Sequence, residues 1–460
     1  MEATQQEPGI KVLEQCRISP APGSVAPDSL PLTFFDCIFL FCSPVQRIFF
    51  YDLPCPVSDF LANHLPHLKL SLSLALRDFR PLAGSLHPSS GVAKHEIRSS
   101  DLDTVPFTVA ESGDDFYDIS GNHARICNRL HPLVPPLLSG TGTGWPLLAL
   151  QVTLFPDTGV ALGITISHSV ADGTTSSNFL KAWAAACRLG MGEVPDGRVG
   201  APPSYDRSVI QDPMDLGGIF LRDLNLLKDD SGMEVLNLHG RNDVVRSTSV
   251  ISQEQIKKLG EVFSGKTATE CSSFALACGF IWACLAKASG VSNGKTEAFG
   301  FVFEARGRLD PPLPATYFGN CLGVCLAEAD GSDLAGEDGA VIASAAIRKA
   351  VQRLNSGGAL EGAENWIRSI APSAFARTLS AAGAPRLGLY QVDFGWGSPR
   401  KIEVISIEKT SAISIAERRE DAGGLEIGLA LPRDLMGRFT AVVSDELNKL
   451  SSSHSSSGGN

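Results

Sequence analysis

The chain has 460 residues, 43% of them hydrophobic, with a formal net charge of −11 and eleven cysteines. That length is enough for two cores. The acidic balance, with no Lys/Arg stripe, argues against nucleic acid or an anionic membrane surface as partner, although a local basic pocket remains compatible with an anionic ligand.

In chain order, "MEATQQEPGIKVLEQC" lacks the basic start and apolar core of a signal peptide. The most apolar stretch, "PLTFFDCIFLFCSPVQRIFFYDLP" (31–54), is broken by Asp36, Pro44 and Arg47, so it reads as buried strand and not as a membrane span. Apolar residues three and four apart predict a helix over 57–79, with a turn or kink near Pro66. "SGTGTGWP" (139–146) has neither GxGxxG spacing nor a following helix and reads as a flexible loop. Strands over 147–155 and 159–167, separated by "PDTG", predict a hairpin. A helix over 174–190 follows, with Thr/Ser near its start and Gly190 near its end.

The stretch 191–216 is rich in Gly, Pro and Asp and is the best linker in the chain. Beyond it the pattern predicts a strand at 245–252, helices at 253–264 and 268–289, and a strand at 296–304. Helices at 338–356 and 360–380 come next, then short strands at 389–393, 402–408, 411–417 and 424–431, and a helix at 432–450. "SSSHSSSGGN" is low-complexity and reads as a disordered tail. Strands and helices mix in both halves, the pattern of α/β sheets with helices packed against them.

Within "GITISHSVADGTT" (163–175), an apolar strand ends at His168 and Asp172-Gly173 leads into a helix. That is where a general base is often displayed. A second HxxxD, His239 to Asp243, lies in a polar turn and is the decoy. The plainer reading of the first is a strand-end histidine satisfied by backbone, with Asp172 as a helix cap. There is no GxSxG elbow, P-loop or HExxH. Cys321 and Cys325 are not a CxxC pair and have no nearby histidine, so no metal site is expected. The odd cysteine count, with Cys278 and Cys284 in apolar surroundings, suits free thiols in a reducing compartment. Lys257 and Lys258 read first as a solvated helix face and second as a phosphate contact.

"HSVADG", followed much later by "DFGWG" (Asp393–Gly397), resembles the motif pair of the BAHD family of plant acyl-CoA-dependent acyltransferases. Family-like stretches such as "LPLTFFDCIFLFCSPVQRIFFYDLP", "RGRLDPPLPATYFGNC" and "LEIGLALPRDLMGRF" span most of the chain. "YFGNC" (317–321) resembles the branch that acylates sugar hydroxyls of flavonoid and phenolic glucosides, often with malonyl-CoA.

The resemblance implies an α/β, two-domain chloramphenicol acetyltransferase-like fold, with mixed sheets, flanking helices and a solvent channel at the domain interface. Residues 1–190 would form the domain carrying HxxxD, 191–220 the crossover linker and 221–450 the domain carrying DFGWG, with a segment crossing back to the first domain. Residues 451–460 would be the disordered tail. It also implies that His168 is the catalytic base and that Asp172 turns away from it to pair with Arg306, or failing that Arg308. Gly173, Asp393, Gly395, Trp396 and Gly397 would give structural support. Apart from the resemblance, the second reading of Lys257 and Lys258 makes them contacts to the CoA phosphates. Acyl-CoA would be a co-substrate, with no permanently bound cofactor and no metal. The other partner would be a small-molecule acceptor, and the protein a cytoplasmic monomer with no nucleic acid or membrane partner. Hydroxycinnamoyl or acetyl donors, an amine acceptor and a non-catalytic paralogue are the alternatives. Three positions depart from the branch pattern: Glu304 stands where an aspartate is usual, Ser398 where an arginine is common and Gly388 where an acid is frequent. No cation lies between Asp172 and Lys181 to meet a malonyl carboxylate.

Overall fold

A computed structural model describes residues 9–87, 95–137, 144–189, 201–229, 238, 241–290, 294–369, 377–383, 385–410 and 412–452. Most of the glycine-rich stretch (139–143), the start of the expected linker, His239 of the decoy motif and the tail from 453 lie outside them.

One mixed sheet has the strand order Ile10–Ile18, Val105–Ser112, Leu148–Phe155, Gly159–Ile166, Val45–Asp52, Lys401–Val404. The predicted hairpin forms its centre, with Gly159 opposite Phe155 and Ile166 opposite Leu148. Every residue of both hairpin strands is buried, which accounts for their almost unbroken apolar sequence. Helices Leu65–Asp78 and Gly173–Leu189 pack together beside this sheet, joined by a hydrogen bond from Trp183 Nε1 to the Leu68 carbonyl at 3.1 Å. A second mixed sheet has the order Leu322–Asp330, Thr296–Glu304, Arg377–Ala382, Ala412–Glu417, Leu425–Pro432, Val244–Ile251, Arg125–Ile126. Its central helix, Ser273–Ser289, is apolar on nearly every face and buried accordingly. Gly279 lets that helix approach Gly339–Gly357 closely, because a Cβ there would lie 2.5 Å from the Ser344 nitrogen. A small four-stranded sheet flanks the first.

The two large sheets exchange edge strands. Arg125–Ile126, from the N-terminal half, pairs with Val245 and Arg246. Lys401–Val404, from the C-terminal half, pairs with Arg47–Phe50. Buried charges join the exchanged segments. Arg125 Nη2 meets Glu403 Oε1 at 2.7 Å, and Arg246 spans Glu403 at 3.3 Å and Glu408 at 2.8 Å. His131 Nε2 lies 2.6 Å from the other Glu408 oxygen. Burial raises the pKa of each glutamate, but the cationic neighbours outweigh it and bring both down to about 2.

Several local expectations are corrected. The predicted helix 57–79 has a π-turn at Phe60–His64, where the Leu65 N–H bonds to Phe60 O and leaves Pro66, which has no N–H to give, at the first turn of Leu65–Asp78. The helix predicted from 268 starts at Ser273, because the preceding helix ends at Ala268 in the left-handed region and Ser272 caps the new one. Among the described residues, the helix predicted over 360–380 is a short turn and Trp366–Ser369, and Arg377–Ala382 is a strand between two parallel neighbours. The strand expected at 389–393 is a 3₁₀ turn, Leu389–Gln391. Helix Leu216–Asp229 begins inside the expected linker span. The strands Ile10–Ile18, Val105–Ser112 and Leu322–Asp330 were not legible from local pattern. Among the described residues, no helix is long and apolar enough to cross a membrane.

Candidate active site

Strand Gly159–Ile166 delivers His168 into a tight turn, in which the Val170 N–H bonds to Ser167 O. The imidazole is half-buried and stacks on Phe39, with ring centroids 3.9 Å apart and planes 5° from parallel. Its Nδ1 is buried without a hydrogen-bond partner. Burial is the main cause that pulls its pKa below the ordinary histidine value. Its own backbone and Asp172 oppose burial, and the Arg47 charge, weaker than either of these, adds to it. The ring is therefore neutral at neutral pH.

Asp172 does not orient this ring. Its Oδ1 caps the following helix by accepting from Thr175 N at 2.8 Å. Its Oδ2 accepts from Arg306 Nη1 at 2.7 Å and Cys321 N at 3.0 Å. Arg306 in turn donates to the carbonyls of Tyr317 and Gly319 and to Glu304. Arg308 instead reaches Asn355. Gly173 favours close packing against Leu387 and does not serve a special backbone turn. It is the first residue of the helix, its φ is not positive, and a Cβ would lie 3.0 Å from Leu387 Cδ1.

A second buried carboxylate was not singled out from sequence, although "LTFFD" and "YFGNC" contain its parts. Asp36, fully buried, accepts from Arg207 Nη1 at 2.9 Å, Asn320 N at 2.9 Å and Asn320 Nδ2 at 3.0 Å. Asn320 Nδ2 also donates to the His168 carbonyl at 2.9 Å. The turn bearing His168 is thus tied to the segment after strand Thr296–Glu304 and, through Arg207, to the chain that connects the two sheets.

Asp393 Oδ1 accepts from both Gly395 N and Gly397 N at 2.8 Å, and these two glycines hold φ of 94° and 85°. Trp396 packs against Tyr51, Phe60 and Phe394, and its Nε1 donates to His64 Nδ1 at 3.3 Å. The DFGWG segment thus sits against the first sheet's helices and leads directly into strand Lys401–Val404. Its nearest strand partner, Val45–Asp52, runs antiparallel to Gly159–Ile166, so the Cys55/Asp59/His64 cluster beside Trp396 lies at the sheet end remote from His168. The ligand-capable atoms of that cluster fall within 4.8 Å of one another. However, the indole bond occupies the His64 lone pair at Nδ1 and leaves the proton on Nε2, facing Asp59. Lys257 and Lys258 lie apart on Gln253–Thr267 beside Glu261 and Glu254. Lys181, the first cation after Asp172, donates to the Leu387 carbonyl at 2.7 Å.

The Transferase family model matches residues 9–445. The chain belongs to this family, the BAHD acyl-CoA-dependent acyltransferases. It is 36% identical to malonyl-coenzyme A:anthocyanin 3-O-glucoside-6''-O-malonyltransferase of Dahlia pinnata, over 96% of this chain and 98% of the relative. It is also 36% identical to phenolic glucoside malonyltransferase 2 of Arabidopsis thaliana, over 95% and 99%. The fold matches the crystal structure of vinorine synthase with a TM-score of 0.69 at 23% identity, covering 96% and 98% of the two chains. The α/β two-domain fold expected from the motif pair is therefore the fold of this family member.

Proposed function

We propose that this acyltransferase moves a malonyl group from malonyl-CoA to a sugar hydroxyl of a phenolic or flavonoid glucoside, with His168 as general base. The observation that carries the reading is the state of His168: a ring kept neutral by burial at a strand end, stacked on Phe39, with the neighbouring aspartate held away from it. The names of the similar proteins support the donor and the acceptor class.

A sugar hydroxyl is almost wholly protonated at neutral pH. In the proposed step, Nε2 takes the hydroxyl proton as the oxygen attacks the thioester carbonyl. The tetrahedral oxyanion collapses, the C–S bond breaks, and the leaving thiolate takes the proton back from the imidazolium. Base assistance of this kind contributes roughly 10²–10⁴-fold, and no acyl-enzyme is needed. Residues 1–190 and 221–450 are proposed as the two lobes around the reaction centre, with Asp172, Gly173, Arg306 and the Asp393–Gly397 segment holding its shape. Lys257, whose side chain is 77% exposed, and Lys258 are the proposed contacts to the CoA phosphates.

The test is a matrix of malonyl-, acetyl- and coumaroyl-CoA against phenolic glucosides and polyamines, read by product mass and thiol release. A malonylated glucoside as the dominant product is expected. Exclusive acylation of the amines would replace the acceptor, and no thiol release with any pair would remove the reading.

A further inference from the structure

The described residues include six deeply buried arginines, and five of them face a carboxylate. Arg77 pairs with Asp78, Arg80 with Asp28 and Asp101, Arg125 with Glu403, Arg246 with Glu403 and Glu408, and Arg306 with Asp172. Arg47 is the exception. It is 8% exposed, its Nη1 donates to Ser176 Oγ at 3.1 Å, and its Nε is buried without a partner. No carboxylate among the described residues pairs with it. A buried cation left without its anion costs several kcal/mol, so the fold carries an unbalanced charge at this point.

The place of that charge is informative. Arg47 lies opposite Ile164 on the strand that leads into the His168 turn, and Ser176 belongs to the first turn of the helix that Asp172 caps. Arg47 borders a recess between the two sheets, whose wall includes Thr248, Leu387, Lys401, Ser414 and Glu426. The one acid in that wall is already occupied, since Glu426 Oε2 accepts from Lys401 Nζ and Tyr390 OH, both at 2.9 Å. Lys401 and Glu426 cancel, and the net charge of the recess is that of Arg47. The recess has room for a water or two, which is what one carboxylate would displace.

We infer that Arg47 is the receptor for the carboxylate of the malonyl donor. The inference rests on the reading of His168 as the base. A malonyl carboxylate is one methylene away from the reacting carbonyl, so its receptor must lie close to the base. Arg47 is placed on that side of the fold: it pairs with Ile164, four residues before His168, its Nη1 donates to Ser176 in the helix that follows the His168 turn, and the recess wall residue Leu387 lies against Gly173. Arg47 also supplies the cation that sequence did not place between Asp172 and Lys181. Occupancy has a second effect. Burial is the main cause of the lowered His168 pKa and the Arg47 charge a lesser one, so a carboxylate seated on Arg47 strengthens the base slightly when the correct donor is bound.

The experiment compares malonyl-CoA with acetyl-CoA on one phenolic glucoside, for wild type and Arg47→Met. The variant removes a buried unpaired charge, so it should melt no lower than wild type. Its kcat/KM ratio, malonyl over acetyl, should fall between about 10- and about 10²-fold, the range for losing hydrogen bonds to a charged group. A second measurement needs no variant: in wild type, the acid limb of kcat against pH should lie higher with malonyl-CoA than with acetyl-CoA. An unchanged ratio in a folded variant overturns the inference. So does a loss confined to KM for acceptors that themselves carry a carboxylate. A wild-type enzyme that uses acetyl-CoA and ignores malonyl-CoA also overturns it while leaving the base in place, whereas no turnover with either donor counts against the base itself.

Discussion

Arg306 Nη1 donates to Asp172 Oδ2 at 2.7 Å, and both side chains are almost wholly buried. The two residues come from segments 134 positions apart, so this one contact fixes the loop that bears His168 against the strand-end segment of the second sheet. Asp172→Ala leaves the guanidinium buried without this partner and removes the cap from helix Gly173–Leu189. The expected cost is about 3–5 kcal/mol, read as a lowered melting temperature together with lost activity. Full activity with an unchanged melting curve would falsify the structural role.

His168→Ala should behave in the opposite way. The ring makes one stacking contact, with Phe39, and its backbone carbonyl bond to Asn320 survives the substitution. The variant should fold, with near-native circular dichroism and melting, and lose roughly 10²–10⁴-fold in kcat. Retained turnover in the folded variant would remove His168 from the chemistry.

The acid side of the rate profile follows from the ring's surroundings. Burial and then Arg47 hold the His168 pKa below 6.5. The neutral, active form therefore persists as pH falls through the ordinary histidine range, and activity declines only below it. With a donor that carries no carboxylate, kcat against pH should show its acid inflection under 6.5. An inflection above that value contradicts the burial-dominated environment.

The charge cluster at the exchanged strands predicts acid sensitivity of the fold. Glu403 and Glu408 have folded pKa values of about 2, against 4.5 for the free group. Groups depressed in this way bind protons more readily unfolded than folded, so their stabilisation is complete above about pH 4.5 and is lost as pH falls toward about 2. Glu403→Gln should remove part of that pH dependence and also destabilise the protein at neutral pH, because Arg125 and Arg246 lose a charged partner. Urea melts at several pH values between 2 and 7 measure both effects.

In the DFGWG segment, Asp393→Ala deprives the Gly395 and Gly397 N–H groups of their shared acceptor. A loss of about 1–3 kcal/mol is expected, with kcat per folded molecule little changed because the segment contacts the helices of the first sheet and not the His168 turn. A large fall in kcat at unchanged stability would give the segment a direct part in the reaction.

Much of this protein is written in local sequence. The hairpin 148–166, the helix after Asp172 and the buried helix 273–289 declare themselves through apolar runs, turn residues and caps, because those forces act within a few residues of chain. The pairing of HSVADG with DFGWG pointed to the family on its own. Local pattern did not reveal strand 377–382 or the exchange of edge strands, since a short segment between parallel neighbours is defined by partners far away in the chain. Nor did it distinguish Arg47 from Arg125, Arg246 or Arg306, as all four are simply arginines in or beside apolar segments. Sequence determined which groups are present and roughly which elements carry them. Only the tertiary structure decided which buried cations find a carboxylate and which one is left facing a recess, because charge pairing in a desolvated interior is settled by three-dimensional proximity and not by spacing along the chain.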